Sequence, residues 1–228
     1  SEGDPLVSAL TYLDAATAGD RVVAVGDRGS IIYSVNQGQS WSQAQVPTDV
    51  LLTSVCLVDE NRGWAVGHDA IILATTDGGA TWTEQYSDVL GSADDEAALE
   101  DDIYEDDIYS HDIYGEDLYS DDLYSDDPYG DDLGAAVDTA GAPFLDVICL
   151  SDERAIAVGG FGYVVETTDG GSSWAKRMDS LDNRDGWHIN GIAAIPGTDV
   201  LLMVGEKGII FRSRDDGATW SRMASPYE

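Results

Sequence analysis

The feature that most constrains this chain is an eight-residue pattern, Ser/Thr-x-Asp/Asn-x-Gly-x-Ser/Thr-Trp, which occurs at residues 34–41, 75–82, 167–174 and 213–220. The Asp or Asn side chain can accept hydrogen bonds from backbone N–H groups two or three residues further on, and the Gly provides a positive φ. The hydroxyls satisfy more of the turn backbone, and the Trp anchors the turn in apolar surroundings. The pattern therefore predicts four tight β-hairpins with structural side chains. These are Asn36, Gly38, Trp41, Asp77, Gly79, Trp82, Asp169, Gly171, Trp174, Asp215, Gly217 and Trp220.

Two short apolar runs precede each copy of this pattern. The first runs end in Gly and lie at 22–26, 63–67, 155–159 and 201–205; the second lie at 31–33, 71–73, 164–166 and 209–211. They are too short for helices and rich in β-branched residues, so they are predicted as strands. A further strand is expected ahead of each pair, at 8–13, 52–58, 144–150 and 189–195, with 15–20 as the turn that follows the first.

Four strands per unit, in repeats of roughly 40 residues, are typical of propeller blades. The predicted fold class is all-β, a β-propeller of four visible four-stranded antiparallel blades, with the four pattern Trp side chains equivalent and buried. Blades 1 and 2 are expected in residues 1–86, an acidic repeat insert in 87–142, and blades 3 and 4 in 143–228. The small number of blades fits a truncated or processed chain, which we favour, a closed ring of four, or an open unit that another copy completes.

The eight-residue pattern is similar to the Asp-box of BNR-type propellers. The wider frame resembles the photosystem II stability/assembly factor family, and residues 25–29, 38–41 and 181–190 are similar to its bacterial, non-photosynthetic branch. This resemblance implies an extracytoplasmic, non-catalytic propeller. Photosynthetic members help to assemble a membrane complex, and bacterial relatives tend to accompany RND-type export systems.

The formal net charge of −33 disfavours binding to nucleic acid or to anionic lipid. No apolar run is long enough to cross a bilayer, so membrane insertion is not expected. The resemblance favours a periplasmic or secreted mature chain from which a signal peptide has been removed. Cys56 and Cys149 occupy equivalent first strands, and two small buried apolar residues are favoured over a disulfide.

The insert contains a five-residue repeat, Asp-Asp-Ile/Leu-Tyr-x, over residues 101–134. Residues 88–134 hold 19 of the 44 acidic residues and no Lys or Arg. A period of five matches neither an amphipathic helix nor an alternating strand. A solvated, self-repelling loop is one interpretation.

Calcium binding is the interpretation we favour, because Ca²⁺ is coordinated by about six to eight hard oxygen ligands and paired carboxylates supply them. The predicted ligands are Asp101, Asp102, Asp106, Asp107, Asp112, Glu116, Asp117, Asp121, Asp122, Asp126, Asp127, Asp131 and Asp132.

Loops on one face of a propeller are the other candidate site. Turns between the second and third strands share this face with the crossovers between blades, whereas the Asp-boxes lie on the opposite face. The predicted partner-binding residues on it are His68, Asp185, Trp187 and His188. A metal site shared by His68, His188 and His111 is a weaker hypothesis than scattered loop histidines.

A sialidase-like glycosidase is a weak alternative, because the nine Arg residues show no converging cluster and no catalytic residue is predicted. The sequence therefore predicts a binding or assembly protein whose partner is an RND-type transporter or another membrane complex. The alternative is a secreted structural or adhesive subunit that self-associates through a calcium-bridged array.

Overall fold

The computed structural model describes residues 10–88 and 141–226. Blade 1 contains β1 (Tyr12–Ala18), β2 (Arg21–Gly26), β3 (Ile31–Ser34) and β4 (Ser42–Gln43), and blade 2 contains β5 (Leu52–Leu57), β6 (Gly63–Gly67), β7 (Ile72–Thr75) and β8 (Thr83–Tyr86). Blade 3 contains β9 (Phe144–Cys149), β10 (Ala155–Gly159), β11 (Val164–Thr167) and β12 (Ala175–Lys176), and blade 4 contains β13 (Ile189–Ala194), β14 (Leu201–Gly205), β15 (Ile210–Ser213) and β16 (Ser221–Arg222).

Each blade is an antiparallel sheet whose four strands neighbour one another in chain order. The Asp-box joins the third strand to the short fourth strand in every blade. These features confirm the predicted all-β propeller architecture. The described residues contain no α-helix, only single 3₁₀ turns such as Asp27–Gly29 and Glu206–Gly208.

The predicted position of the first strand in blade 1 is wrong. This strand covers Tyr12–Ala18 rather than 8–13, and it pairs with β2 up to the turn at Gly19. Its sequence, YLDAATA, is poor in large apolar residues because alternate residues of the strand are exposed. A search for apolar runs therefore misses it.

In the two middle strands of a blade, successive side chains point alternately toward the preceding blade and toward the following blade. In blade 2, Ala65 and Leu73 belong to the apolar core shared with blade 1, whereas Val66 and Ile72 belong to the core shared with blade 3. A third core lies between blades 3 and 4 and includes Phe211. Burial on both sheet faces explains why these strands are continuous apolar runs rather than alternating ones.

The expectation of four equivalent buried Trp side chains is wrong for Trp41. Trp82 is 4% exposed, and Trp174 and Trp220 are partly buried, because each packs into the core shared with the preceding blade. No blade precedes blade 1 in the described residues, and Trp41 is 45% exposed.

A polar belt connects the four innermost strands. The hydroxyl of Ser54 lies 2.9 Å from Asp14 Oδ2 and 2.8 Å from Asp146 Oδ1. Asp14 Oδ2 also accepts from Val55 N at 2.9 Å, and Asp146 Oδ2 accepts from Ile192 N at 2.8 Å. Each blade is thus tied to the next by a side chain at the equivalent position of its first strand.

A disulfide joins Cys56 in β5 to Cys149 in β9, so the expectation of two free buried cysteines is wrong. The two strands are neighbours on the inner side of blades 2 and 3, and the Cα atoms are 5.7 Å apart, within the range that a disulfide spans. The first strands of successive blades become adjacent only when the blades pack. Spacing in the sequence cannot report that distance.

The acidic array at 101–134, with its predicted calcium ligands and His111, lies outside the described residues.

Candidate functional site

The Asp-box side chains hold their own turns. In blade 2, Thr75 Oγ1 donates to Asp77 Oδ1 at 3.0 Å and accepts from Gly79 N at 2.9 Å. Asp77 then accepts from Thr81, at 2.9 Å from the backbone N–H and at 2.7 Å from the hydroxyl. The carboxylate therefore bonds to the backbone of Thr81, four residues further on, in addition to that of Ala80, three residues further on, and Gly79 has a φ of 92°.

The same hydrogen bonds recur around Asp169 and Asp215. The hydroxyl and backbone N–H of Ser173 lower the pKa of Asp169 to about 2, and those of Thr219 do the same for Asp215. In blade 1 the amide of Asn36 takes this place and donates to Ser40 Oγ at 2.9 Å. The acids are engaged within their turns, which is what a structural role requires.

The opposite face of the propeller, which we call the loop face, carries the turns between second and third strands together with the crossovers. A repeated hydrogen bond joins the two: His68 N donates to Leu51 O at 2.9 Å, and Glu206 N donates to His188 O at 3.0 Å. Each turn is thereby fixed to the residue that leads into the first strand of its own blade.

A partly exposed cluster of rings lies on the loop face between blades 3 and 4. The rings of Phe161 and His188 meet edge to face with centroids 5.0 Å apart, and Lys207 Nζ lies 5.8 Å from the centre of the Trp187 ring. His188 N donates to Glu206 Oε2 at 3.1 Å. We call these five residues the aromatic cluster.

The aromatic cluster is positioned by backbone constraints on both sides. Phe161 has a φ of 55° at the centre of the β10–β11 turn, which directs its side chain outward, and it is 48% exposed. Asn183 fixes the crossover, donating from Nδ2 to Trp187 O at 2.8 Å and accepting from Trp187 N at 3.2 Å. A large exposed ring on a fixed turn is a surface feature that the fold itself does not require.

The four predicted partner-binding residues are only partly brought together. Trp187 and His188 belong to the aromatic cluster, whereas His68 and Asp185 are exposed and no hydrogen bond or ring contact of the described residues links them to it. Sequence reasoning missed Phe161, Glu206 and Lys207. The signal was present, since all three occupy the turn position that His68 and Asp69 occupy in blade 2.

The Arg residues converge more than the sequence indicated. Arg154 Nε lies 2.7 Å from Glu166 Oε1, and Arg177 Nε lies 2.9 Å from Glu166 Oε2. Arg154 also pairs with Asp216 in blade 4. Because β10 and β12 both pair with β11, Arg154 and Arg177, next to the ends of those two strands, reach the one carboxylate of Glu166. These ion pairs neutralise two guanidinium groups and link blade 3 to blade 4.

The stem of the insert is anchored at the blade 2–blade 3 interface. The buried Tyr163 hydroxyl donates to Asp88 Oδ2 at 2.5 Å, Lys176 Nζ lies 2.7 Å from the same oxygen, and Gly141 N donates to Asp88 O at 2.5 Å. Burial raises the pKa of Tyr163, so this hydroxyl remains a donor. The two ends of the insert therefore leave the propeller side by side.

Two further properties concern only residues 10–88 and 141–226. In that part of the chain, no helix is long and apolar enough to cross a membrane. Nor does it contain a group of three or more His, Cys, Asp or Glu side chains placed to hold a metal ion.

The repeated four-stranded sheets and their Asp-box turns define the class of protein as a BNR-type β-propeller. The chain belongs to the family described as photosynthesis system II assembly factor YCF48, whose sequence profile matches residues 33–104 and 135–226. This match confirms the family resemblance seen in the sequence.

Two relatives carry names from the same family. A photosystem II assembly lipoprotein Ycf48 of Prochlorococcus marinus is 40% identical over 144 residues, which are 63% of this chain and 41% of the relative. A chloroplastic photosystem II stability/assembly factor HCF136 of Cyanidioschyzon merolae is 32% identical over 82 residues, 33% of this chain and 19% of the relative. The chain thus spans less than half the length of the curated relatives it matches.

Among solved structures, an ancestral GH74 enzyme is similar to this chain with a TM-score of 0.56 and 14% sequence identity. The alignment covers 94% of this chain and 24% of that enzyme. At this level of identity the similarity shows the propeller fold alone.

Proposed function

We propose that this chain is a non-enzymatic, extracytoplasmic propeller that binds another protein during assembly of a membrane protein complex. Its family and the assembly-factor names of its relatives support the assembly role. The observation that carries the binding role is the aromatic cluster, in which Phe161, Trp187 and His188 present ring surface beside the charged groups of Glu206 and Lys207.

Such a surface has the composition of a protein-binding site. Aromatic rings bury a large apolar area on association, and adjacent charged groups orient the partner. Truncating one central aromatic anchor typically costs about 2 kcal/mol or more of binding free energy, roughly 30-fold in Kd. The partner is expected to be a polypeptide segment with an apolar side chain flanked by polar backbone.

An extracytoplasmic location is supported by the Cys56–Cys149 disulfide, because such bonds persist in oxidising compartments. The lipoprotein name of the Prochlorococcus relative agrees with this location. For the partner, the relatives favour a subunit of a photosystem-type membrane complex, and the similarity to the bacterial branch favours an RND-type exporter.

Co-isolation from detergent-solubilised membranes of the source organism tests the proposal. Tagged full chain should retain a defined membrane complex, and Phe161→Ala combined with Lys207→Glu should weaken its Kd for the purified complex by at least about tenfold. Val35→Ala is the matched control, since Val35 is 58% exposed but lies in blade 1. Equal retention by the double variant would contradict the proposed site. Turnover of sialoside substrates by the wild-type chain would favour the glycosidase alternative.

A second activity, calcium binding by the array at 101–134, is also proposed. Its support is the sequence alone, which places paired carboxylates every five residues in a segment without Lys or Arg. In the structural or adhesive alternative, these ions would bridge copies of the chain.

A further inference from the structure

The insert stem, which we define as residues 86–88 and 141–143, packs against the β10–β11 turn that presents Phe161. Gly160 N donates to Pro143 O at 2.9 Å, and a Cβ atom added to Gly160 would lie only 3.2 Å from Pro143 Cδ. Because a methyl group has so little room there, a glycine lets the turn lie directly on the stem.

The other side of the same turn lies against the crossover of the aromatic cluster. A Cβ atom on Gly162 would lie 2.3 Å from Asn183 Nδ2, the atom that donates to Trp187 O. Phe161 is therefore held between the stem and the crossover, and its ring meets that of His188 edge to face. A displacement of the turn in either direction would move the Phe161 ring relative to the rest of the cluster.

A tyrosine that follows this turn ties it to the other segment of the stem. Tyr163 is fully buried, and its hydroxyl donates to Asp88 Oδ2 at 2.5 Å. The same oxygen lies 2.7 Å from Lys176 Nζ, and the Tyr86 hydroxyl is hydrogen-bonded to that of Tyr163. Burial opposes the ionisation of Asp88, but the hydrogen bonds from Lys176 and Tyr163 hold its pKa below the usual value. The bond from Tyr163 is therefore charge-assisted, and such bonds are roughly twice as strong as those between neutral groups.

The equivalent positions in the other blades show that the fold does not require this bond. Two of them hold an Ile side chain, which has no hydrogen-bonding group, and the third holds a serine. The turns of those blades also present charged side chains in place of the Phe161 ring. The residues equivalent to Tyr163 are Ser30, Ile71 and Ile209, and those equivalent to Phe161 are Arg28, Asp69 and Lys207. The tyrosine and the exposed ring thus occur together, in blade 3 alone of the four described blades.

We propose that the insert stem positions Phe161 for partner binding, with Tyr163, Asp88 and Lys176 as positioning residues for the aromatic cluster. This inference rests on the proposed function, because it explains why that cluster is held rigidly. A ring that is already fixed in its bound position loses less conformational freedom on association, so a fixed turn raises affinity. Tyr163→Phe releases the turn from Asp88 and keeps the stacking of the ring on Phe144, whose centroid is 5.0 Å away.

NMR of the full chain tests the positioning without any partner. An aromatic ring that meets a histidine edge to face shifts the ring-proton resonances of that histidine, and the chain contains only three histidines. Tyr163→Phe should move the His188 resonances toward the positions that they take in Phe161→Ala. Those of His68, on the loop face of blade 2, should stay at their wild-type positions. Gly160→Ala, whose methyl group presses the turn away from the stem, should also move the His188 resonances.

The second measurement is the Kd for the membrane complex that the tagged wild-type chain retains. Tyr163→Phe should weaken this Kd by about fivefold or more, the range of couplings between distinct sites. Tyr33→Phe removes a tyrosine hydroxyl in blade 1 and should leave both the Kd and the His188 resonances unchanged. Melting temperatures within a few degrees of wild type establish that each variant folds, and Asp88→Asn replaces Tyr163→Phe if that variant unfolds.

The two measurements separate this inference from the proposed function. His188 resonances that stay at their wild-type positions in Tyr163→Phe would overturn the inference and leave the proposed function intact. An unchanged Kd in a variant whose resonances move would also overturn it, because the position of Phe161 would then not affect binding. If the wild-type chain retains no membrane complex, the proposed function fails, and the NMR result alone decides whether the stem positions Phe161.

Discussion

Cys56 and Cys149, 93 residues apart in the sequence, are bonded between the inner strands of blades 2 and 3, so one disulfide closes a covalent loop around the whole acidic insert. The hydrogen bond from Gly141 N to Asp88 O closes a smaller loop inside this one. Blades 2 and 3 are thus held as neighbours despite the segment between them.

Removing this disulfide is expected to lower the free energy of unfolding by about 4–5 kcal/mol, because a loop of this length gains much conformational entropy when the unfolded chain is released. The Cys56→Ala/Cys149→Ala double variant, unfolded in urea beside the oxidised wild type, measures the loss. Reduced wild type is the control for side-chain packing and should resemble the double variant. An unchanged unfolding midpoint would contradict the prediction.

Asp77→Ala should cost about 1–3 kcal/mol of unfolding free energy, since the turn N–H of Thr81 loses its acceptor. Asp77→Asn is the matched control, because blade 1 uses Asn36 at the equivalent position and retains the turn bonds. The Asn variant should recover most of the loss. If both variants retain wild-type stability but lose partner binding, the structural assignment of the Asp-box is wrong.

The contribution of Asp146 to the free energy of unfolding should fall as the pH rises. A carboxylate in an ion pair behaves in the opposite way. Burial raises its pKa, and the nearby Asp14 carboxylate adds to the shift. The single hydroxyl proton of Ser54 can serve only one of the two carboxylates, so protonated Asp146 completes the belt. A raised folded-state pKa contributes stability below the unfolded pKa of about 3.9, and this contribution is lost as pH rises through the folded value.

Asp146→Asn tests this dependence, since its amide does not titrate. Relative to wild type, the variant should gain unfolding free energy as the pH rises above about 4. Asp185→Asn removes the same charge at an exposed site and corrects for reduced repulsion in an acidic chain. A difference from wild type that is constant with pH would show that Asp146 does not titrate in this range.

The acidic array should take up several calcium ions, each weakly, in the sub-millimolar to millimolar range typical of extracellular oxygen-rich sites. Isothermal titration of the full chain should show uptake that a variant lacking residues 99–135 lacks. Replacing the array's Asp and Glu by Asn and Gln at constant length separates charge from length and should also abolish uptake. Equal uptake by all three chains would end the proposal.

The sequence alone determined the four-bladed propeller pattern, because the signals for it are local. The hydrogen bonds around Asp77 stay within eight residues, and strands such as Gly63–Gly67 are apolar on both faces wherever they occur. Local sequence signals also identified Trp187 and His188 as residues of a surface crossover. The repeat register also places Phe161 and Lys207 in loop-face turns, but it could not show which of these loops contact one another.

Tertiary structure decided everything that depends on which blades become adjacent. Cys56 meets Cys149, and Arg154 meets Glu166 and Asp216, only after sheets have formed and packed. Trp41 has the same local sequence pattern as Trp82, yet it is exposed because no blade in the described residues precedes it. Whether a side chain in a blade is buried depends on the blade that packs against it. The local sequence of one repeat does not show which blade that is.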